Sequence, residues 1–194
     1  MSDALILIDL QFGLCKPGGV GSAGLAERVA ENRTLENAAE LLAAYRAAGK
    51  PVFHVRLGFE ASFANRTNRT PRFDSHQKVG RFALGGADTK FCEEVTPLAG
   101  ETILTKGSVG AFASTPLLAF LNGQNICDIA IAGIATHLAV ESTAREAADR
   151  SLRVTVVADA CTGPEALHDH SIGAVLPVFA TVENLAEHLE LVRS

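Results

Sequence analysis

Short unbroken apolar runs alternate with stretches of helical period throughout this chain of 194 residues. Ala4-Leu-Ile-Leu-Ile8 contains no polar position, which suits a parallel strand covered on both faces and ending at Asp9. Residues 13–24, rich in glycine, read as loop. From Asn32 to Ala48 the positions Leu35, Ala38, Ala39, Leu41, Leu42 and Tyr45 recur at helical spacing, and Gly49-Lys50-Pro51 supplies a stop. A second strand follows at Val52–Arg56. Residues 57–90 show no clear period and read as a long loop with one short helix, the kind of segment that shapes pockets. Beyond it come a strand at 101–105, a helix at 115–122 ended by Gly123, and the most apolar strand at 126–132. Thr136 is placed to cap a helix running to about Arg150. Then come a strand at 154–158 ending in Asp159, a helix at 164–176, a short strand at 178–180 and a helix at 182–192.

Strands alternating with helices imply an α/β fold, a three-layer α/β/α sandwich around an open, mainly parallel sheet of Rossmann-like type. One domain over residues 1–194 accounts for the length. Ligands in such sheets bind beyond the carboxyl ends of the strands. Asp9, Arg56, Lys106, the 133–139 turn and Asp159 all fall at such ends, so one edge collects the polar residues that could carry chemistry.

Composition narrows the classes. Hydrophobic residues make up 47% and charged residues 20%, an ordinary globular balance, and no apolar run reaches the ~18 residues of a membrane span. The start lacks the basic region and cleavage site of a signal peptide, so a cytoplasmic location is expected. A net charge of -5 argues against nucleic acid as partner. Arg66, Arg69, Arg72, Lys78 and Arg81 cluster in sequence, but Asp74 and the absence of aromatic patterning make a solvated lid or subunit-contact loop the better reading. Cysteines 15, 92, 127 and 161 have neither a CxxC spacing nor a dense framework and read as reduced thiols, not as zinc or disulfide ligands. No P-loop is present and no cofactor is implied.

Three segments carry a family resemblance. Gly133-Ile-Ala-Thr136-His-Leu-Ala139-Val140-Glu-Ser142-Thr143-Ala144-Arg145-Glu-Ala147 resembles the nucleophile turn of the isochorismatase-like cysteine hydrolases, with alanine at position 139 where that family's cysteine is expected. Ala4-Leu-Ile-Leu-Ile-Asp9-Leu-Gln11 resembles its first strand ending in the catalytic aspartate. Leu104-Thr-Lys106-Gly-Ser-Val-Gly-Ala-Phe112 resembles the segment carrying its catalytic lysine.

The resemblance implies an isochorismatase-like fold, a hydrolase acting on a small polar, carboxylated molecule, and a homo-oligomer formed by helix packing, here through Ala144, Ala147 and Ala148. It assigns catalytic positions to Asp9, Lys106 and Ala139. It also implies backbone oxyanion donors at Ala135 and Ala139 and a cis peptide between Ile134 and Ala135. Gln11, Arg56, Ala135 and His137 are the substrate-binding candidates; for Gln11 and Arg56 an ordinary structural hydrogen bond or salt bridge is the alternative, and for His137 an exposed first-turn position. The Asp9–Lys106 ion pair is expected to keep Asp9 ionised in the empty pocket.

Ala139 cannot attack a carbonyl, and three readings stay open. One is an enzyme in which Asp9 protonates a vinyl ether carbon and water attacks. Another is a cysteine-to-alanine variant of an amidohydrolase. The third is a member that binds without turnover. Cys15 and Cys161 are weak substitutes, since neither falls at a strand-to-helix turn. The Asp-x-His pattern of metal-binding nicotinamidases is replaced by Val55-Arg-Leu-Gly-Phe59, and His168-Asp-His170 sits at a helix start, so no metal is expected.

Overall fold

The computed structural model describes residues 3–21 and 23–193. Six strands form one sheet: β1 (Ala4–Ile8), β2 (Val52–Leu57), β3 (Thr102–Lys106), β4 (Asp128–Ile134), β5 (Arg153–Thr162) and β6 (Thr181–Glu183). Their order is β3-β2-β1-β4-β5-β6, and every pairing is parallel. The helices are α1 (Phe12–Cys15), α2 (Leu25–Glu31), α3 (Thr34–Ala47), α4 (Pro71–Val79), α5 (Leu117–Gly123), α6 (Glu141–Ala148), α7 (Glu165–His170) and α8 (Leu185–Arg193).

Right-handed crossovers run from β1 toward β2 in one direction and from β4 toward β5 in the other, which puts α3 and α6 on opposite faces of the sheet. Central strand β1 is therefore sealed on both sides, and all five of its residues are buried, as the uninterrupted apolar run requires. The neighbours β1 and β4 stand where the chain direction reverses, and a crevice opens between their carboxyl ends. Gly133 lets the two strands meet there. Its φ is +136°, and a β-carbon would lie 2.0 Å from the Ile8 carbonyl oxygen.

Several boundaries differ from expectation. The strand expected to end at Asp159 continues to Thr162, because β5 is bulged: Val156 pairs with Ile131 and Cys161 with Gly133. Asp159 therefore lies inside β5, where its carboxylate accepts the Leu185 N–H at the start of α8. The helix expected from Thr136 begins instead as a π-helical turn, Thr136–Val140, and becomes α-helical at Glu141. Thr136 makes no capping bond; its hydroxyl is 2.7 Å from His168 Nδ1. The segment 164–176 is broken into α7, a second π turn at Ser171–Val175 and a 3-10 turn at Leu176–Val178, where Pro177 has no N–H to continue the helix. The last strand consequently falls at 181–183, after the expected 178–180. Helix α2 occupies residues for which no element was expected. Gly19-Val-Gly-Ser-Ala-Gly24 has the spacing of a dinucleotide-binding turn, yet α1 separates it from β1, whereas such a turn joins strand directly to helix. No helix of the described residues is long and apolar enough to cross a membrane.

Candidate active site

Asp9 leaves the end of β1 in a left-handed conformation, φ 57°, which an aspartate tolerates better than a branched residue. That backbone turns its carboxylate into the crevice. Lys106, the last residue of β3, reaches the same point: its Nζ donates to Asp9 Oδ2 at 2.8 Å and to the Ser108 carbonyl at 3.2 Å. Both side chains are almost fully buried. Burial raises the Asp9 carboxyl above the ordinary carboxylate range, with the Lys106 charge pulling against it. The ion pair was expected to hold Asp9 ionised; desolvation is the larger effect here. Asp9 Oδ1 has no hydrogen-bond partner among the described residues.

The third wall is the turn after β4. Ile134 and Ala135 are joined by a cis peptide, as the resemblance implied. The turn is tied down from behind: Thr143 Oγ1 donates to the Ala139 carbonyl at 2.6 Å and accepts the Ala111 N–H at 3.0 Å. This clamp holds Ala139 against the loop that follows Lys106. Asp9, Lys106, Ser108, Ala135, His137 and Ala139 all border one cavity of about 250 Å³.

Residues 57–90 close the cavity from above. Helix α4 brings Phe73 and His76 to it, Arg72 stands at its rim, and Phe82 and Leu57 complete an apolar wall with Leu14, Val20 and Leu25 from residues 13–25. His76 is wedged edge-on between Phe73 and Phe82. Gly107 permits this cover to descend, since a β-carbon there would sit 2.0 Å from the Asn65 carbonyl oxygen. Of Arg72, Phe73, His76 and Phe82, only Arg72 was named from sequence, within a basic cluster read as a solvated lid or subunit-contact loop. The available signal was local: Pro71 at a helix start, Phe73 and His76 three apart, and Gly80 at a left-handed stop.

Two candidates are employed elsewhere. Gln11 is fully buried but does not border the cavity; its amide receives the Leu57 N–H at 2.8 Å and donates to the Leu57 and Asp88 carbonyls at 3.0 and 2.8 Å. Arg56 turns to the other side of β2, bonding Thr105 Oγ1 and the Thr89 carbonyl and stacking on Phe91. Asp159 is also absent from the cavity wall. Cys15 and Cys161 are buried away from it, and burial pushes the Cys161 thiol up to about 12. Neither thiol is available as a nucleophile at this site.

The sequence matches the isochorismatase domain over residues 3–187. An isochorismatase family protein of Escherichia coli O157:H7 is 32% identical over 195 residues, spanning 96% of this chain and 94% of that one. A ureidoacrylate amidohydrolase of Methylobacterium radiotolerans is 28% identical over 196 residues, spanning 94% of this chain and 76% of its own. Among solved structures, an isochorismatase family protein of Burkholderia thailandensis superposes with a TM-score of 0.80 at 27% identity, covering 98% of this chain and 95% of that one.

Proposed function

We propose that this chain, which belongs to the isochorismatase family of hydrolases, cleaves a small carboxylated molecule by acid chemistry at Asp9, with water as the nucleophile. The observation that carries this reading is the state of Asp9, a residue of the cavity wall: its carboxyl is held above its ordinary range, with one oxygen paired with Lys106 and the other sealed from solvent without a partner among the described residues. A carboxyl with a raised pKa is suited to donate a proton. Ala139 borders the same space and offers only a methyl group, so a thioester route has no sulfur to begin from.

The chemistry matching these groups is hydrolysis of an enol ether. Asp9 delivers its proton to the terminal alkene carbon, leaving an oxocarbenium ion. Water adds to that cation, the resulting hemiketal collapses to a carbonyl compound and an alcohol, and the proton released restores Asp9. Lys106 keeps the carboxylate in place between turnovers, and the apolar walls exclude competing water.

The ureidoacrylate amidohydrolase relative favours a second reading, in which the pocket is that of a C–N hydrolase lacking its thiol. A substrate panel separates the two. The unaltered chain is expected to hydrolyse carboxylated enol ethers and to leave amides and ureides intact, whereas Ala139→Cys gains amide or ureide hydrolysis under the second reading. Inertness of the unaltered chain toward every enol ether would remove the acid mechanism.

A further inference from the structure

The wall of the cavity carries three nitrogen-bearing side chains for which the acid chemistry has no use. Arg72 is exposed, stands at the edge of the cavity, and makes no ion pair or hydrogen bond among the described residues. His76 is buried to 7% exposure and His137 is half-buried; both line the same cavity. In each ring Nδ1 is sealed off without a partner, which leaves Nε2 as the nitrogen able to reach a ligand. A sealed N–H without an acceptor costs more than a sealed lone pair, so the proton of each neutral imidazole sits on Nε2. Burial and the Arg72 and Arg81 charges hold His76 down to about 4, and burial with Arg72 lowers His137 against the opposing pull of Glu141. Both rings are then neutral donors at neutral pH.

Arg72 is exposed and Asp9 is buried, so the cavity runs from solvent at Arg72 to the sealed carboxyl. Much of the remaining wall is apolar, with Leu14, Leu57, Phe73 and Phe82 among its residues. Glu141, the carboxylate whose charge acts on His137, is committed to Arg145 and to the Ser171 hydroxyl. A guanidinium and two imidazoles on the wall of one cavity match a planar carboxylate, and the apolar part of the same wall matches an apolar body.

We propose that Arg72, His76 and His137 form an anion subsite that seats the carboxylate of an amphipathic acid, one with an aromatic or branched hydrocarbon body pointing down toward Asp9. The subsite rests on the reading of this cavity as the substrate site, and it assigns specificity to a helix, α4, outside the three segments that carry the family resemblance. Arg72 sets the charge preference, and the histidines orient the carboxylate plane.

Phenylacetate and its neutral isostere phenylacetamide are suitable probes, with affinities measured by calorimetry on the full chain at pH 7 and low salt. The acid is expected to bind about tenfold more tightly than the amide, as a charge-assisted contact at a part-exposed site provides. Arg72→Met should reduce the acid to the level of the amide while leaving the amide unchanged; Arg72 is on the surface, so the fold is not at stake. His76→Phe, which preserves the aromatic packing, should weaken the acid by about threefold with little effect on the amide. Equal affinity of acid and amide, undetectable binding of both, or a preference that survives Arg72→Met overturns the subsite. Ala139→Leu fills the deep end and should exclude both probes. Binding that ignores Ala139→Leu would place the probes elsewhere, which overturns the reading of the cavity itself.

Discussion

Asp9 and Lys106 are each other's main electrostatic environment, and their separate removal tests different things. Asp9→Asn keeps the shape of the side chain, and asparagine tolerates the left-handed backbone of position 9. It cannot deliver an acidic proton, so hydrolysis should fall by about 10²–10⁴-fold. The variant also strands a buried ammonium, at a cost of about 3 kcal/mol in stability. Asp9→Asn combined with Lys106→Met should recover most of that stability in urea unfolding but none of the activity; recovery of activity would show that Asp9 is not the acid. Lys106→Met alone removes the charge that opposes the upward shift of Asp9. An acid acts in its protonated form, so the rate falls as pH rises through the Asp9 pKa. Without Lys106 that falling limb should move to higher pH, and a profile that stays in place would count against Asp9 as the titrating group.

The sheet and its covering helices are braced by a second, half-buried carboxylate. Glu101, just before β3, accepts Arg46 Nε and Nη2 from α3 at 2.7 and 2.8 Å, the Leu98 N–H at 2.8 Å, and His54 Nε2 of β2 at 2.9 Å. The Arg46 guanidinium leads in holding its carboxyl down to about 2. A carboxyl with a lowered folded-state pKa stabilises the fold above its unfolded value, near 4.5, and loses that contribution as pH falls toward 2. Glu101→Gln should therefore cost about 1–2 kcal/mol at pH 7, after discounting for partial exposure, and less at each step below pH 4.5. A cost that does not shrink with acid, measured by urea unfolding across that range, would assign the effect to shape and not to charge. The periodicity of α3 was legible because its apolar face is long. Helix α4 has nine residues and only two buried ones, too few to establish a period against a polar background.

The surface first assigned to the expected homo-oligomer is largely taken up within the chain. Ala144 and Ala147 are fully buried within this chain, where small side chains let α6 approach the sheet, so of the three alanines only the half-buried Ala148 is open to another copy. Association remains the expected behaviour, now without an assigned surface, and light scattering at micromolar concentration should give a mass well above 20.4 kDa; that value itself would refute it. The strand ends, the buried character of β1 and β4, and the placement of Asp9, Lys106 and the Ala139 turn on one edge follow from local order in the sequence. A parallel sheet under helices demands continuous apolar strands, and its connections oblige their carboxyl ends to share an edge. The roof of the cavity, the release of Gln11, Arg56 and Asp159 to structural work, and the arrival of Arg72, His76 and Phe82 above Asp9 were decided by tertiary packing. Those residues come from segments whose positions depend on close approaches at Gly107 and Gly133 and on a bulge in β5, and such contacts between distant parts of the chain leave no periodic trace in it.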